Sequence, residues 1–208
     1  MSGQLQTSEP HPGCPPGGPG WRPWRWLSGA LALPVVILTL AAPVRATLLE
    51  PLSLSDLAGG ADVVLHGRVH SVRTISHGPR RMPVSLAQVE VLEVLAGDLP
   101  PRRQIVVSQP GGSAGGVALD YAGRPRFVGG QEIVLFLVRR APGRFITLGL
   151  VQGKFDVGED DGQGRRRLSR NMHGAAFARP AAESVPTDLA DLRRKLRSLP
   201  RDLTGVQP

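Results

Sequence analysis

The sequence predicts an all-β fold, a small closed or partly closed β-barrel with a short helix before it and an amphipathic helix after it. Two observations predict this class. Several short segments with a two-residue apolar period are separated by glycine-containing turns. A further segment, residues 132–138, is apolar on both faces, as a central strand covered from two sides would be. An open sandwich of two sheets is the alternative.

The first elements follow from local patterns. Residues 52–60 predict a short helix that Ser53 or Ser55 caps and that two glycines end. The apolar period then changes to two, which predicts a half-buried strand. A second strand over residues 84–95 loses its alternation near Glu93, as a β-bulge would cause.

The middle of the chain predicts further short strands. Residues 104–108 form a third strand, and the glycine-rich stretch 109–116 then predicts a loop. Residues 119–127 predict a small hairpin. Residues 144–157 predict one or two more strands, with a break at one of two glycines, Gly149 or Gly153.

A helix at about residues 187–199 is predicted near the end of the chain, with Thr187 as its capping residue. Its apolar stripe consists of Leu189, Leu192, Leu196 and Leu199. Docking of this stripe on the barrel is the favoured interpretation. A basic helix that contacts a partner or anionic lipid is the alternative, and it would suit an envelope-associated structural protein.

The beginning of the chain predicts export. Arg22 and Arg25 precede an apolar segment at residues 27–42, and small residues fit cleavage after Ala46. Pro34 interrupts the segment, which is also shorter than the ~20 apolar residues that cross a bilayer. We therefore expect a periplasmic or secreted protein that contacts membrane only if the signal segment stays uncleaved.

This interpretation divides the chain into three parts. Residues 1–46 are the signal peptide with a disordered beginning, residues 47–157 are the barrel, and residues 158–208 are a C-terminal extension. The single cysteine, Cys14, precedes the predicted cleavage site. The mature chain is therefore expected to fold without disulfides, as a monomer.

The charge of the chain is basic, with 25 Lys and Arg against 17 Asp and Glu and a formal net charge of +8. Removing the predicted signal peptide removes three arginines and one glutamate, which leaves +6. We expect this charge to serve solubility, with a dedicated anionic partner as the alternative. The mature chain has one tyrosine and no tryptophan, so we expect no nucleic-acid partner that binds by base stacking.

One catalytic motif is present. Residues 111–115 match the Gly-x-Ser-x-Gly pattern of a nucleophile elbow, which makes Ser113 a candidate nucleophile and His173 its candidate base. The elbow requires a helix directly after the serine, and the residues that follow are poor helix formers. We therefore expect no enzyme activity, with a serine hydrolase as the alternative.

Metal binding is not expected either. His66 and His70 share the solvated face of a strand, but four residues of strand separate them by about 13 Å, which is too far for one ion. The mature chain offers no cysteine ligand. The sequence therefore predicts no metal and no cofactor.

Several phrases together resemble known families: LSDL at 54–57, ADVVLHGRV at 61–69, VEVLEVLAG at 89–97, FVGGQEIVLFL at 127–137 and QGKF at 152–155. They resemble an uncharacterised family of exported bacterial proteins. Their order is also similar to that of the netrin-like domain of the tissue inhibitors of metalloproteinases. This resemblance implies a barrel of the oligonucleotide/oligosaccharide-binding type, abbreviated OB.

The resemblance also implies a function. In those inhibitors a free amino-terminal cysteine chelates the protease zinc, and disulfides hold the terminal segment against the barrel. Here packing of Leu48 and Leu49 would have to order the terminus instead. We expect a non-catalytic module that binds a protein partner, with a secreted metalloprotease as the sharpest candidate. The expected partner-binding residues are Thr47, Leu48, Leu49, Gln109, Gly112 and Ser113.

Overall fold

The computed structural model describes residues 47–99, 104–180 and 185–199. The predicted signal peptide therefore lies outside the described residues. Within them, no helix has the length and apolar character needed to span a membrane.

The described chain consists mainly of strands, with two α-helices and one turn of 3-10 helix. In chain order the elements are β1 (Thr47–Leu49), α1 (Leu54–Gly60), β2 (Val63–His77), β3 (Met82–Gly97), β4 (Gln104–Pro110), β5 (Gly112–Ala114), β6 (Val117–Leu119), β7 (Glu132–Ala141), β8 (Arg144–Thr147), the 3-10 turn (Leu150–Gly153), β9 (Lys154–Asp160), β10 (Arg166–Ser169), β11 (Ala175–Phe177) and α2 (Leu189–Ser198).

Five of these strands close into a ring. β2 pairs with β3 and β3 with β4, while β7 pairs with β2 on one side and with β8 on the other, all antiparallel. β8 then runs parallel to β4 and closes the ring. This five-stranded closure makes the protein an OB-like barrel, so the all-β barrel prediction is confirmed.

The barrel interior is an apolar core to which all five ring strands contribute: Val63, Leu65, Val69, Ala87, Val89, Ile105, Val107, Ile133, Leu135, Leu137 and Phe145. The alternation predicted for β2 places its apolar face in this core. In β7, five consecutive residues from Ile133 are buried, which confirms the prediction of a strand covered on both faces.

A second apolar layer lies outside the ring, where α1, α2, β9 and β10 cover β2 and β7. It is formed by Leu54, Leu57, Ala61, Val64, Val134, Phe136, Phe155, Leu168, Leu189 and Leu192. The prediction that β2 is only half-buried is therefore wrong for its first half. Val64 and His66 point away from the barrel interior but are buried beneath this outer layer.

Both helices begin at a side-chain cap. In α1 the Ser53 hydroxyl accepts from the Asp56 N–H at 3.0 Å, and the Asp56 carboxylate accepts from the Ser53 N–H at 2.9 Å. In α2 the cap is Asp188, which accepts from the Asp191 N–H at 2.7 Å, so the prediction of Thr187 is wrong. Thr187 instead offers its carbonyl to the Leu168 N–H.

The predicted irregularities are confirmed at two places. In β3 the pairing with β2 shifts register on both sides of Glu93, which is the expected bulge. Between β8 and β9 the chain leaves the sheet at Gly149 and returns after Gly153. The left-handed backbone of Gly149, with φ of 61°, starts the 3-10 turn.

The predicted loop at residues 109–116 and hairpin at residues 119–127 are wrong in position. The hairpin lies earlier, with β5 paired to β6 across Gly115 and Gly116, both of which have positive φ. Residues 120–131 contain no strand. Two adjacent glycines that accept left-handed backbone make the tighter turn, which local alternation alone did not reveal.

Candidate functional site

The described chain begins with a short strand that the sequence did not predict. β1 runs parallel to β11, with Thr47 opposite Ala175 and Leu49 opposite Phe177. The carbonyl of Leu49 also accepts from the Ala178 N–H at 2.9 Å. Among the described residues, no strand pairs with the other edge of β1. This edge can therefore accept an extended segment from another molecule.

A buried glutamine holds the chain that follows β1. Gln152 lies in the 3-10 turn and is 3% exposed. Its Oε1 accepts from the Leu52 N–H at 2.8 Å, and its Nε2 donates to the Glu50 carbonyl at 3.0 Å. Glu50 also forms an ion pair with Arg179. One side chain thus satisfies two backbone groups and fixes the segment between β1 and α1.

Gly123 allows the loop beneath β1 to pack closely against β1 and β11. A Cβ at Gly123 would lie 3.2 Å from the Ala175 Cβ and 3.3 Å from a Leu49 methyl carbon. The Gly123 N–H donates to the His173 carbonyl, and the Gly123 carbonyl accepts from the Val151 N–H. The loop at Gly123 therefore connects the β1–β11 pair to the 3-10 turn.

Leu48 and Leu49 have different surroundings. Leu48 is 65% exposed, so the expectation that its packing orders the terminus is wrong. Leu49 is half-buried against Gly123. Strand pairing and the Gln152 amide order this segment instead, which leaves the Leu48 side chain available for contact.

The expected binding residues of the glycine-rich stretch also differ from one another. Gln109 is 2% exposed, and its Nε2 has no hydrogen-bond partner among the described residues. Gly112 is half-buried, and a Cβ there would lie 2.7 Å from the Ser85 hydroxyl. Ser113 alone of the three is exposed, on β5.

The structure does not bring the candidate nucleophile and base together. Ser113 lies on β5, which a turn and another strand follow, while His173 lies in the loop between β10 and β11. No hydrogen bond joins the two side chains. Burial lowers the pKa of His173, and the positive charge of Lys154 lowers it further.

His66 belongs to a polar network that the sequence analysis missed. It is 6% exposed, whereas His70 is exposed, so the predicted solvated face is wrong for His66. The His66 Nε2 lies 3.1 Å from Glu132, which also accepts from Arg68 at 2.5 Å and from Arg166 at 2.6 Å. Since the carboxylate can only accept, the His66 Nε2 carries the proton.

The protonation states in this network follow from its contacts. Burial alone would raise the pKa of Glu132, but the hydrogen bonds from Arg68 and Arg166 outweigh it and lower the pKa to about 2. Burial lowers the pKa of His66 against the opposing effect of Glu132. At neutral pH the network therefore consists of a carboxylate, two guanidinium groups and a neutral imidazole that join β2, β7 and β10.

Two further cations, one buried and one half-buried, contact aromatic rings near the outer strands. Lys154 is 5% exposed, pairs with Asp156 and lies 5.8 Å from the centre of the Phe127 ring. Arg170 stacks 4.4 Å above the Phe155 ring, and its Nε has no partner among the described residues. Burial lowers the pKa of Arg170 to about 10. These contacts hold the strands that support the 3-10 turn.

The described residues offer no alternative site with evident chemistry. No group of three histidine, cysteine or acidic side chains is placed to hold a metal ion in the described ranges. An open cavity of about 490 Å³ lies beside the start of α2, lined by side chains that include Arg167 and Thr187.

No family model matches the chain, and no curated protein matches it. The open edge of β1, together with the exposed Leu48, is the arrangement in the described chain best suited to contact another molecule.

Proposed function

We propose that this chain is an exported, non-catalytic binding module that presents residues 47–49 to a protein partner. The observation that supports this proposal is that two sets of contacts fix the segment. β1 pairs with β11, and the Gln152 amide forms hydrogen bonds with the backbone that follows β1. The held segment has an edge with which no other described strand pairs, and it has an exposed apolar side chain. A cleft that binds extended peptides is the surface that such a segment fits.

Preorganisation gives this arrangement its value for binding. Fixing the backbone of one residue costs roughly 1–2 kcal/mol, and a flexible terminus would lose that free energy on every binding event. Here the folded protein has already ordered the segment. The contacts that Leu48 and the open edge make with a partner would therefore contribute to the affinity, and little free energy would be lost in ordering the segment.

A secreted metalloprotease is the partner class that we propose. Cleavage after Ala46 would create an α-amine at Thr47, next to the Thr47 carbonyl. Such an amine has a pKa near 7.7–8.0, so a large share is neutral at mildly alkaline pH and can coordinate zinc. Placing the amine at the end of a fixed strand would deliver it to a cleft without disulfides.

The first experiment establishes the processed terminus and its partner together. N-terminal sequencing of the exported protein should find Thr47 as the first residue. This protein should then inhibit a metalloprotease purified from the same secreted fraction. A form extended by Ala46 should lose inhibition because the extra residue occupies the position of the free amine.

Two leucine variants separate recognition from stability. Leu48→Ala should weaken partner binding about tenfold, since an exposed leucine that becomes buried in a cleft contributes about 1.5 kcal/mol or more. Leu92→Ala is the matched control, because Leu92 is 43% exposed on β3. Both variants should unfold at the same denaturant concentration as the parent.

Equal inhibition by the Ala46-extended form and the parent would contradict the proposed chelation.

A covalent serine probe tests the non-catalytic part of the proposal. We expect an alkyl fluorophosphonate to leave Ser113 unlabelled, since no base is hydrogen-bonded to its hydroxyl. Labelling that disappears in Ser113→Ala and in a His173→Ala variant of normal stability would show a serine hydrolase instead.

A further inference from the structure

Two β-turns lie side by side at one end of the barrel. The β2–β3 turn spans residues 78–81, and the β5–β6 turn is formed by Gly115 and Gly116. A Cβ at Gly115 would lie 2.8 Å from the Ser76 hydroxyl and 3.7 Å from an Arg81 guanidinium nitrogen. We call this surface, residues 72–82 with residues 114–117, the double-hairpin end.

The double-hairpin end carries positive charge without any acidic residue. The sequence has no aspartate or glutamate from residue 70 to residue 88 or from residue 104 to residue 119. Its basic side chains are exposed, and none forms an ion pair with another described residue: Arg73, His77, Arg80 and Arg81.

Arginines elsewhere on the described surface are often neutralised. Arg68 and Arg166 bind Glu132, and Arg193 binds Glu93. Even Asp120, the first acidic residue after the β5–β6 hairpin, is already bound by Arg124 and Arg126. Cations collected at one end without carboxylates are consistent with an anionic surface as their partner.

Apolar side chains are exposed at the same end. Eight large hydrophobic residues are exposed in the described part of the chain, and three of them lie on these hairpins: Val72 (39%), Met82 (40%) and Val117 (39%). Met82 directly follows Arg80 and Arg81, and it pairs with His77 across the turn. Val117 directly follows the Gly115–Gly116 turn.

From this combination we propose that the double-hairpin end binds the surface of an anionic phospholipid membrane. Headgroup phosphates would pair with the arginines, and the acyl boundary would receive Met82 and its apolar neighbours. A soluble polyanion would use the charges but would leave the exposed apolar side chains in water. The juxtaposition of both kinds of side chain therefore favours lipid over a dissolved anion.

The size of the effect follows from the number of charges. Near an anionic bilayer each arginine contributes about five- to sixfold in affinity, so loss of Arg80 and Arg81 together should weaken binding about 30-fold. Salt should weaken binding further, because screening shortens the reach of these charges to about 8 Å at physiological ionic strength. Loss of an apolar side chain should be less sensitive to salt.

This proposal does not rest on the proposed protease-binding function, because it uses a different set of residues. β1 carries the contacts of the first proposal, and the two hairpins carry those of the second. Failure of either in its own assay therefore leaves the other unaffected.

Vesicle sedimentation tests the proposal, and it uses the whole protein as it is obtained after processing in cells. The protein should pellet with vesicles of mixed phosphatidylglycerol and phosphatidylcholine and stay in solution with phosphatidylcholine alone. The double variant Arg80→Ser, Arg81→Ser should bind about 30-fold more weakly, and Met82→Ser several-fold more weakly. Arg140→Ser with Arg144→Ser is the matched control, since both arginines are exposed and unpaired among described residues and flank the β7–β8 turn.

Each outcome supports or overturns the inference. Loss of binding in the hairpin variants alone, with unchanged unfolding midpoints, supports it. Equal loss in the Arg140 and Arg144 control would show that net charge alone governs binding, and would overturn it. Binding to neutral vesicles, or no binding to anionic ones, would overturn it as well. Full displacement by inositol hexakisphosphate together with unchanged binding of Met82→Ser would assign the surface to a soluble polyanion.

Discussion

The side-chain Oε1 of Gln152 accepts a hydrogen bond from the backbone N–H of Leu52 at 2.8 Å, across a separation of 100 residues in the chain. The other half of the same amide donates to the Glu50 carbonyl. Gln152 is therefore a non-covalent link between the beginning of the described chain and the barrel. It holds the segment next to β1 in a protein whose described residues include no cysteine.

Removing this link should loosen the terminal segment before it unfolds the barrel. Gln152→Ala leaves the Leu52 N–H and the Glu50 carbonyl without their partner, at a cost of about 2 kcal/mol. Hydrogen exchange should accelerate at residues 47–52 and stay unchanged in β7. The control is Gln163→Ala in an exposed turn, which should change neither quantity. Equal exchange in both variants would show that strand pairing alone holds the terminus.

The close approach of β2 to β3 makes one glycine intolerant of substitution. A Cβ at Gly67 would lie 2.6 Å from the Glu90 carbonyl oxygen and 2.8 Å from a Val89 methyl carbon. Gly67→Ala should therefore lower the free energy of unfolding by about 1 to 3 kcal/mol, as overpacking does. Gly129→Ala is the control, because its nearest neighbour would lie 3.8 Å away. The free energy of unfolding is measured in urea. Equal values for the two variants would contradict the close contact at Gly67.

Acid should destabilise the folded protein through Glu132 and His66. The folded-state pKa of Glu132, about 2, lies below the ordinary value of 4.5 for a glutamate. Its contribution is complete above pH 4.5 and is lost as the pH falls towards 2. The pKa of folded His66 also lies below 6.5, so its contribution begins to fall as the pH drops through 6.5. Both groups therefore make the protein less stable as the pH falls.

The Glu132 part of this pH dependence can be isolated by substitution. Glu132→Gln removes the carboxylate from Arg68 and Arg166, and the pKa difference corresponds to about 3 kcal/mol near neutral pH. The variant should show a shallower loss of unfolding free energy between pH 4.5 and pH 2. Glu159→Gln, at an exposed glutamate on β9, should keep the parental slope. A parental slope in Glu132→Gln would exclude this carboxylate as the source.

Docking of α2 should depend on one fully buried leucine. Leu192 is 0% exposed in the outer apolar layer, so Leu192→Ala should cost about 2 to 5 kcal/mol. Leu196 only packs against the edge of that layer, and Leu196→Ala should cost less than half as much. Denaturant unfolding followed by circular dichroism measures both. Equal and small costs would indicate that α2 detaches without affecting the barrel.

Much of the secondary structure could be predicted from the chain because its signals are local. The Ser53 cap, the bulge near Glu93 and the central strand at β7 each depend on residues a few positions apart. These signals survive folding because tertiary contacts reinforce them. The hairpin at β5 and β6 was misplaced, since short glycine-rich strands carry little apolar alternation.

The candidate site was predicted only in outline. Residues 47–49 were expected at the binding surface. Their pairing with β11 and the role of Gln152 could not be predicted, because neither produces a recognisable local sequence pattern. Leu48 and Leu49 look equivalent in the sequence and differ in exposure. That difference depends on which side of β1 meets Gly123.

The sequence by itself determined the all-β class, the start of α1 and the apolar faces of the barrel strands, because periodicity and capping act within one or two turns of the backbone. Only the tertiary structure decided that His66 is buried beside Glu132, that Gln152 holds Leu52, and that β1 pairs with β11. Each of these depends on a partner far away in the chain. Which distant residue a side chain contacts depends on how the barrel closes and on which outer elements cover that side chain.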